Sequence, residues 1–249
     1  MRHSGFVDTV DALGGHDHVG WVFDDPDEYH PVVERFLADG RAAGQQVMFV
    51  ADRDPTAAAD PAAQVRTYAR ATERALADGY TGLRVAADAT PLVRTAQERA
   101  AFARYEFLMD VFMARRPMSG LCGFNRSELG DEAVAELAGM HPVARRGSTP
   151  LRLFATDRPG VAAVLAGEVD PGGHAQLQNA LGRAELAADG GVVTLDAREL
   201  TFIDHRALIR LVEHVRGRGA ATALLVDPGS PVARLAGLLQ LGDLRVVMS

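Results

Sequence analysis

The chain of 249 residues carries a single cysteine, Cys122, and so can form no internal disulfide. No C-x-x-C pair or Cys/His cluster accompanies it, which argues against a structural zinc site and suits a reducing compartment. Basic residues are in deficit, 26 against 33 acidic, for a formal net charge of −7. Nucleic-acid phosphates attract a basic surface and repel an acidic one, so direct nucleic-acid binding is not expected. No apolar run approaches the roughly eighteen residues that a membrane span needs, and the start, Met1-Arg-His-Ser-Gly-Phe-Val-Asp8, lacks the apolar core of a secretory leader. The expectation is a cytoplasmic protein without membrane contact. A Gly-x-Ser-x-Gly elbow is also missing, and Cys122 has no assigned histidine partner, so nucleophilic catalysis has no support and no enzyme activity is expected.

What is present is enough apolar residue, 47% against 24% charged, to build a sizeable core. Short apolar runs at Val19–Phe23, Gln46–Ala51, Leu83–Ala87 and Met118–Phe124 alternate with helix-like stretches at 26–38, 61–77 and 95–115. Tyr29, Val32, Val33, Phe36 and Leu37 give the first helix its apolar stripe, and Gly40 is expected just past its end. Such alternation implies a mainly parallel sheet covered on both faces. Val143-Ala-Arg-Arg-Gly-Ser-Thr-Pro150 then interrupts the pattern with arginines, a glycine and a proline and predicts a linker. The expected domains are therefore 1–147 and 148–249. The second is expected to open with two strands, followed by helices over 173–188 and 204–218 and a last strand at Leu244–Met248.

Two resemblances sharpen this picture. His18, Phe36-Leu-Ala-Asp-Gly40, Gly44-Gln-Gln-Val-Met-Phe-Val50, Arg84, Asp88, Tyr105-Glu106, Leu121-Cys-Gly-Phe-Asn125 and His141-Pro142 resemble, in order and spacing, the MEDS sensory domain. That resemblance implies a degenerate relative of the RecA-like ATPases. A phosphate loop needs glycines and a lysine, whereas Asp24-Asp-Pro-Asp-Glu28 offers four acids and a proline at the first strand-to-helix junction, so ATP hydrolysis is not expected. A small-ligand pocket at the carboxyl ends of the strands is expected instead, lined from Trp21, Asp52, Asp54, Arg84, Asp88, Tyr105, Glu106, Cys122 and Asn125. For each the alternative is a core or ion-pair role, Arg84 with Asp88 or Glu106 above all.

In the second half, Leu165-Ala-Gly-Glu-Val-Asp170, Leu195-Asp-Ala-Arg-Glu-Leu-Thr-Phe-Ile-Asp204-His-Arg-Ala-Leu-Ile209 and Ala223-Leu-Leu-Val-Asp-Pro228 resemble a STAS domain of the anti-sigma-factor antagonist type. The resemblance implies an α/β fold and a partner, an anti-sigma factor or related signalling protein, meeting Asp204, His205, Arg206, Ile209 and Arg210. The family's junction carries a phosphorylatable hydroxyl where this chain reads Asp204-His205-Arg206-Ala207. Constitutive binding, a changed partner, and a domain kept for dimerisation or docking are three explanations that stay open. The fold class expected is therefore α/β throughout, a RecA-like degenerate domain followed by a smaller STAS-like one. The function expected is non-catalytic signalling, and the alternative is a nucleotide-binding or hydrolytic enzyme with a docking domain. No cofactor and no metal site are expected; His16-Asp-His18 is only an opportunistic ligand pair, and Glu168 and Asp170 are expected to satisfy backbone N–H groups.

Overall fold

The computed structural model describes residues 2–50 and 60–248, and the chain divides into two compact units, Met1–Thr149 and Pro150–Ser249. Both are α/β. In the first, a six-stranded sheet runs in the order β1-β6-β2-β5-β4-β3, with every pairing parallel. Its strands are β1 (Gly5–Val7), β2 (His18–Phe23), β3 (Gln46–Val50), β4 (Leu83–Asp88), β5 (Met118–Asn125) and β6 (Val143–Arg145). The helices are α1 (Pro26–Ala42), α2 (Pro61–Ala77), α3 (Ala96–Met113), α4 (Arg126–Leu129) and α5 (Asp131–Ala138).

The sheet is covered on both faces, as the alternation of elements predicts. One face packs Val22, Val85, Cys122 and Phe124 against Phe102, Tyr105 and Met109 of α3 and Leu137 of α5. The other packs Val19, Trp21, Phe23 and Leu121 against Tyr29, Val33 and Phe36 of α1. All eight residues of β5 are buried, and its two glycines allow close approach by neighbours. A Cβ at Gly123 would stand 2.4 Å from the Tyr29 ring, and one at Gly120 would stand 3.0 Å from the Met113 methyl. Helix starts follow their local chemistry. The Asp25 side chain caps α1, with Asp27 and Glu28 in the first turn where the helix dipole favours acids. Thr95 and Glu98 cap α3 reciprocally, Glu98 N–H donating to Thr95 Oγ1 and Thr95 N–H to Glu98 Oε2.

Two expectations need correction. The first helix does not stop before Gly40 but runs to Ala42; Gly40 serves packing rather than a helix end, since it lies under the Arg84 side chain, where a Cβ would come within 2.6 Å of Cδ. The proposed linker begins too early: Val143–Arg145 is a strand between β1 and β2, and Val143 and Ala144 are fully buried. Arg145 is held there by stacking on Trp21 and by donating from Nη1 to the Val22 carbonyl at 2.7 Å.

The second unit has β7 (Leu151–Phe154) antiparallel to β8 (Ala163–Val169), followed by α6 (His174–Arg183), β9 (Val192–Asp196), β10 (Leu200–Ile203), α7 (His205–Gly217), β11 (Ala221–Val226), α8 (Pro231–Leu239) and β12 (Leu244–Met248). β8 pairs in parallel with β9 near its start and with β10 near its end, and β9, β11 and β12 continue the sheet. The run from Leu195 to Ile203 is thus two strands rather than one. Helix α6 ends at Arg183, short of Ala188, where Ala184 turns to extended backbone, although Leu186 still reaches the core.

Helix α7 buries Ala207, Leu208, Leu211, Val212 and Val215, and Asp204 is its cap. Asp204 Oδ1 accepts from Arg206 N–H at 2.8 Å and Ala207 N–H at 2.9 Å, while Oδ2 meets His174 Nε2 at 2.6 Å. Burial alone would raise the Asp204 carboxyl, but the Ala207 N–H and His174 hold it below the usual range. Asp204→Ala removes a cap of a kind that contributes about 0.5–2 kcal/mol. Denaturant unfolding is expected to shift by that amount, with faster amide exchange at 205–208; an unchanged midpoint would count against the capping role.

Candidate functional site

The sequence-predicted ligand residues do not share one place. Trp21 and Arg84 lie on the sheet face covered by α1. Arg84 is 2% exposed and donates from Nε to Gln45 Oε1 (2.7 Å), from Nη1 to the Phe36 carbonyl (3.1 Å) and from Nη2 to the Leu13 carbonyl (2.9 Å). It forms no ion pair with Asp88 or Glu106. At the carboxyl ends of β4 and β5, Asp88 accepts from Thr90 N–H and Asn125 accepts from Glu128 N–H, so both close turns there. Asp52 and Asp54 lie outside the described residues. Between β2 and α1 stands the acidic junction, and the whole chain contains no lysine, so the parts of a phosphate loop are missing.

Tyr105, Glu106 and Cys122 do come together, on the opposite face. The parallel register places His18 beside Gly120 and Gly20 beside Cys122. Alternation along the strands turns His18, Gly20, Gly120 and Cys122 toward α3 and α5. Helix α3 contributes Glu106 and, one turn on, Asp110; His141 enters from the turn after α5. His18, Glu106, Cys122 and His141 are all buried, and one donor atom from each lies within 4.8 Å of the others. Glu106 Oε2 is the hub: it lies 2.8 Å from His18 Nε2, 3.1 Å from His141 Nε2 and 3.4 Å from Cys122 Sγ, whose thiol donates to it. The His18 and His141 rings are 4.3 Å apart at their centroids.

Surrounding groups fix both imidazoles. His18 Nδ1 faces Asp110 Oδ1 at 3.1 Å, and Asp110 is ion-paired to Arg2. His141 Nδ1 faces the Leu137 carbonyl at 2.9 Å. Gly20 makes room, since a Cβ there would stand 2.9 Å from His141 Nδ1. Burial, then the neighbouring His141, lowers the His18 pKa to about 4, so His18 is neutral at pH 7. Burial would raise the Glu106 carboxyl, but contacts with His141 and His18 outweigh it and hold the carboxyl well below the usual range. The adjoining cavity, lined by Tyr68, Tyr105, Met109, Met113 and Met118 beside the cluster, offers about 10 Å³, the space of one water-sized particle.

The sequence reading missed His141, and with it the grouping. His16 and Asp17 turn elsewhere: His16 Nδ1 meets the Met113 carbonyl at 3.0 Å, and Asp17 accepts from the backbone N–H groups of His3 and Gly14. The signal was present in the MEDS-like pieces, which include His18, Glu106, Cys122 and His141, but their convergence depends on the strand order β6-β2-β5.

In the second unit, His205, Arg206 and Arg210 are exposed at the start of α7, and Ile209 is half-buried. Asp204 is occupied as cap and His174 partner. Phe202, on β10, adds an apolar ring that is 45% exposed. Thr201 is exposed, its hydroxyl donating to the Gly167 carbonyl at 3.0 Å. Asp170 accepts from Gly173 N–H, the backbone role expected of it. No helix among the described residues is long and apolar enough to cross a membrane.

These features define an α/β module with a buried polar centre, followed by a second α/β unit. Residues 55–142 match the MEDS family, the MEthanogen/methylotroph, DcmR Sensory domain. The matched span holds Glu106, Cys122 and His141, while His18 precedes it. A sensory or signalling role follows for this part of the chain. No curated protein matches the sequence.

Proposed function

We propose that the chain is a non-catalytic cytoplasmic regulator. Its first unit senses at the His18–Glu106–Cys122–His141 cluster, and its second binds an anti-sigma factor or related signalling protein through a STAS-like surface. The observation that carries the sensing half is the burial of His18, Cys122 and His141 around the Glu106 carboxylate, with three of these four residues inside a stretch that matches a sensory family. Burying such groups costs several kcal/mol unless they are well partnered, an expense without a structural purpose in a core that apolar residues could fill.

For the second unit, support comes from the capped start of α7, where Arg206 and Arg210 are exposed, and from the exposed ring of Phe202 on β10. Aromatic and arginine side chains are the commonest anchors of protein interfaces. The switch hydroxyl of the antagonists is replaced at this helix start, so binding should not respond to ATP. The test is surface plasmon resonance of the full chain against anti-sigma kinases, with and without ATP, together with phosphate analysis by mass spectrometry. Binding is expected to persist in ATP without label on residues 201–206, and Arg206→Glu is expected to weaken it at least tenfold with the melting temperature nearly unchanged. Phosphate on 201–206 would refute the lost switch, and absence of binding to every kinase tried would sink the partner reading.

A further inference from the structure

We infer that His18 Nε2, His141 Nε2, Glu106 and Cys122 Sγ form a binding site for one divalent transition-metal ion of the zinc type. The inference rests on the sensing half of the proposed function, naming the ion that the cluster holds, and makes no use of the second unit.

Four donor atoms converge in the cluster. The Leu137 carbonyl can only accept, so His141 Nδ1 carries the hydrogen that meets it, and Nε2 of that ring is the atom turned inward. Asp110, already paired to the Arg2 guanidinium, holds His18 through Nδ1 at 3.1 Å and turns Nε2 of that ring inward as well. Both nitrogens point at Glu106 Oε2, at 2.8 Å and 3.1 Å. His141 Nε2 is buried and makes no aligned hydrogen bond. Two nitrogens, a carboxylate and a sulfur thus meet out of water, and a cation at their centre, displacing the protons they share, would bond to all four.

The spacing of the donors suits such a cation. Metal–ligand distances of about 2.0–2.3 Å place the donors of a tetrahedral ion about 3.3–3.8 Å apart. The contacts through Glu106 and the 3.8 Å from Cys122 Sγ to His18 Nε2 run from slightly below that range to its upper edge, and all four donors fall within 4.8 Å. The surroundings agree as well. Metal-bound histidines characteristically pass their other N–H to a carboxylate or a backbone carbonyl, and here one ring meets each. Nitrogen, thiolate and carboxylate together suit zinc and the metals next to it. On binding, the thiol proton leaves to solvent and the sulfur coordinates as thiolate.

The test uses the untagged full-length chain, stripped with chelator and titrated with Co²⁺ as the optical probe and Zn²⁺ as competitor. One equivalent per chain is expected, giving the visible bands of four-coordinate cobalt and a near-ultraviolet thiolate-to-cobalt band, both abolished by one equivalent of Zn²⁺. Cys122→Ser, nearly isosteric, should remove the thiolate band and weaken binding at least tenfold. Asp110→Asn should weaken it about 10–100-fold while leaving the thiolate band in place, as expected of a residue that only positions His18. Cys122→Ser keeps the test decisive should His141→Ala or Glu106→Ala fail to fold, and His30→Ala, at an exposed histidine, should change nothing. No stoichiometric binding, or a spectrum unaltered in Cys122→Ser, overturns the site. A bound ion in a protein that meets no partner leaves the site standing and overturns the regulatory reading; partner binding by a protein that takes up no metal does the reverse.

Discussion

Arg84→Met is expected to destabilise the first unit by about 3–5 kcal/mol, although it keeps most of the side-chain volume and removes no ion pair. The guanidinium is 2% exposed and serves three acceptors at once, Gln45 Oε1 and the carbonyls of Phe36 and Leu13, while lying 4.5 Å over the Phe36 ring. A buried acceptor stranded by loss of its donor costs about 1–3 kcal/mol. Methionine strands Gln45 Oε1 and the Leu13 carbonyl, while the Phe36 carbonyl keeps its place in the α1 ladder, and water reaches such a site only if the packing loosens. The measurement is denaturant unfolding of the full chain, with amide exchange to assign the change to residues 13–50 and 83–88 among those described. A loss below about 1 kcal/mol would mean that the Gln45 and Leu13 oxygens find other partners. Because Arg84 projects to the α1 face, the substitution should leave cobalt binding at the cluster unaltered in stoichiometry, which separates its role from that of a ligand clamp.

Arg84 also shows where sequence stops being informative. The alternation of β4 marks it as one of a buried set, but two of its three partners are backbone carbonyls 48 and 71 residues away, and carbonyls leave no trace in side-chain identity. The strands β2 to β5 and the helices α1 to α3 were legible because hydrophobic period and caps are local. The strand β6 was not, since Val143–Arg145 carries arginine and stands before a glycine and a proline. Only pairing with β1 and β2 makes it a strand. The cluster failed to emerge for the same reason. Cys122 alone is indistinguishable from a core residue and Glu106 from an ion-pair partner, and His141 joins them only through the order of strands. At the other end, Asp204 was legible as a helix start because its cap is made within three residues, whereas its pairing with His174, thirty residues earlier, was not.

Gly167→Ala is expected to cost the second unit about 2–5 kcal/mol, the sum of about 1–2 for a side chain in left-handed backbone and a further 1–3 for the clash it makes. Gly167 has φ +92°, and a Cβ there would lie 2.1 Å from the Pro150 carbonyl oxygen, a backbone atom that moves only with its strand. The Leu165–Asp170 motif suggests a strand closed by a turn, yet β8 continues to Val169 and Gly167 sits within it. There it faces Leu151 of β7 on one side and Leu200 of β10 on the other, where the register shifts before Phe202. Past this irregularity Ile203 pairs with Val169, and Asp204 N–H donates to the Val169 carbonyl at 3.0 Å, which fixes the start of α7 and so the positions of His205, Arg206 and Arg210. Alanine at 167 should therefore speed amide exchange through 163–169 and 200–208 and weaken any binding at the α7 start, while the first unit melts as before. Exchange at 200–208 that stays slow in a stable Gly167→Ala chain would show that the helix start is held by α7's own packing, and that the irregularity between β8 and β10 does not position the proposed partner surface.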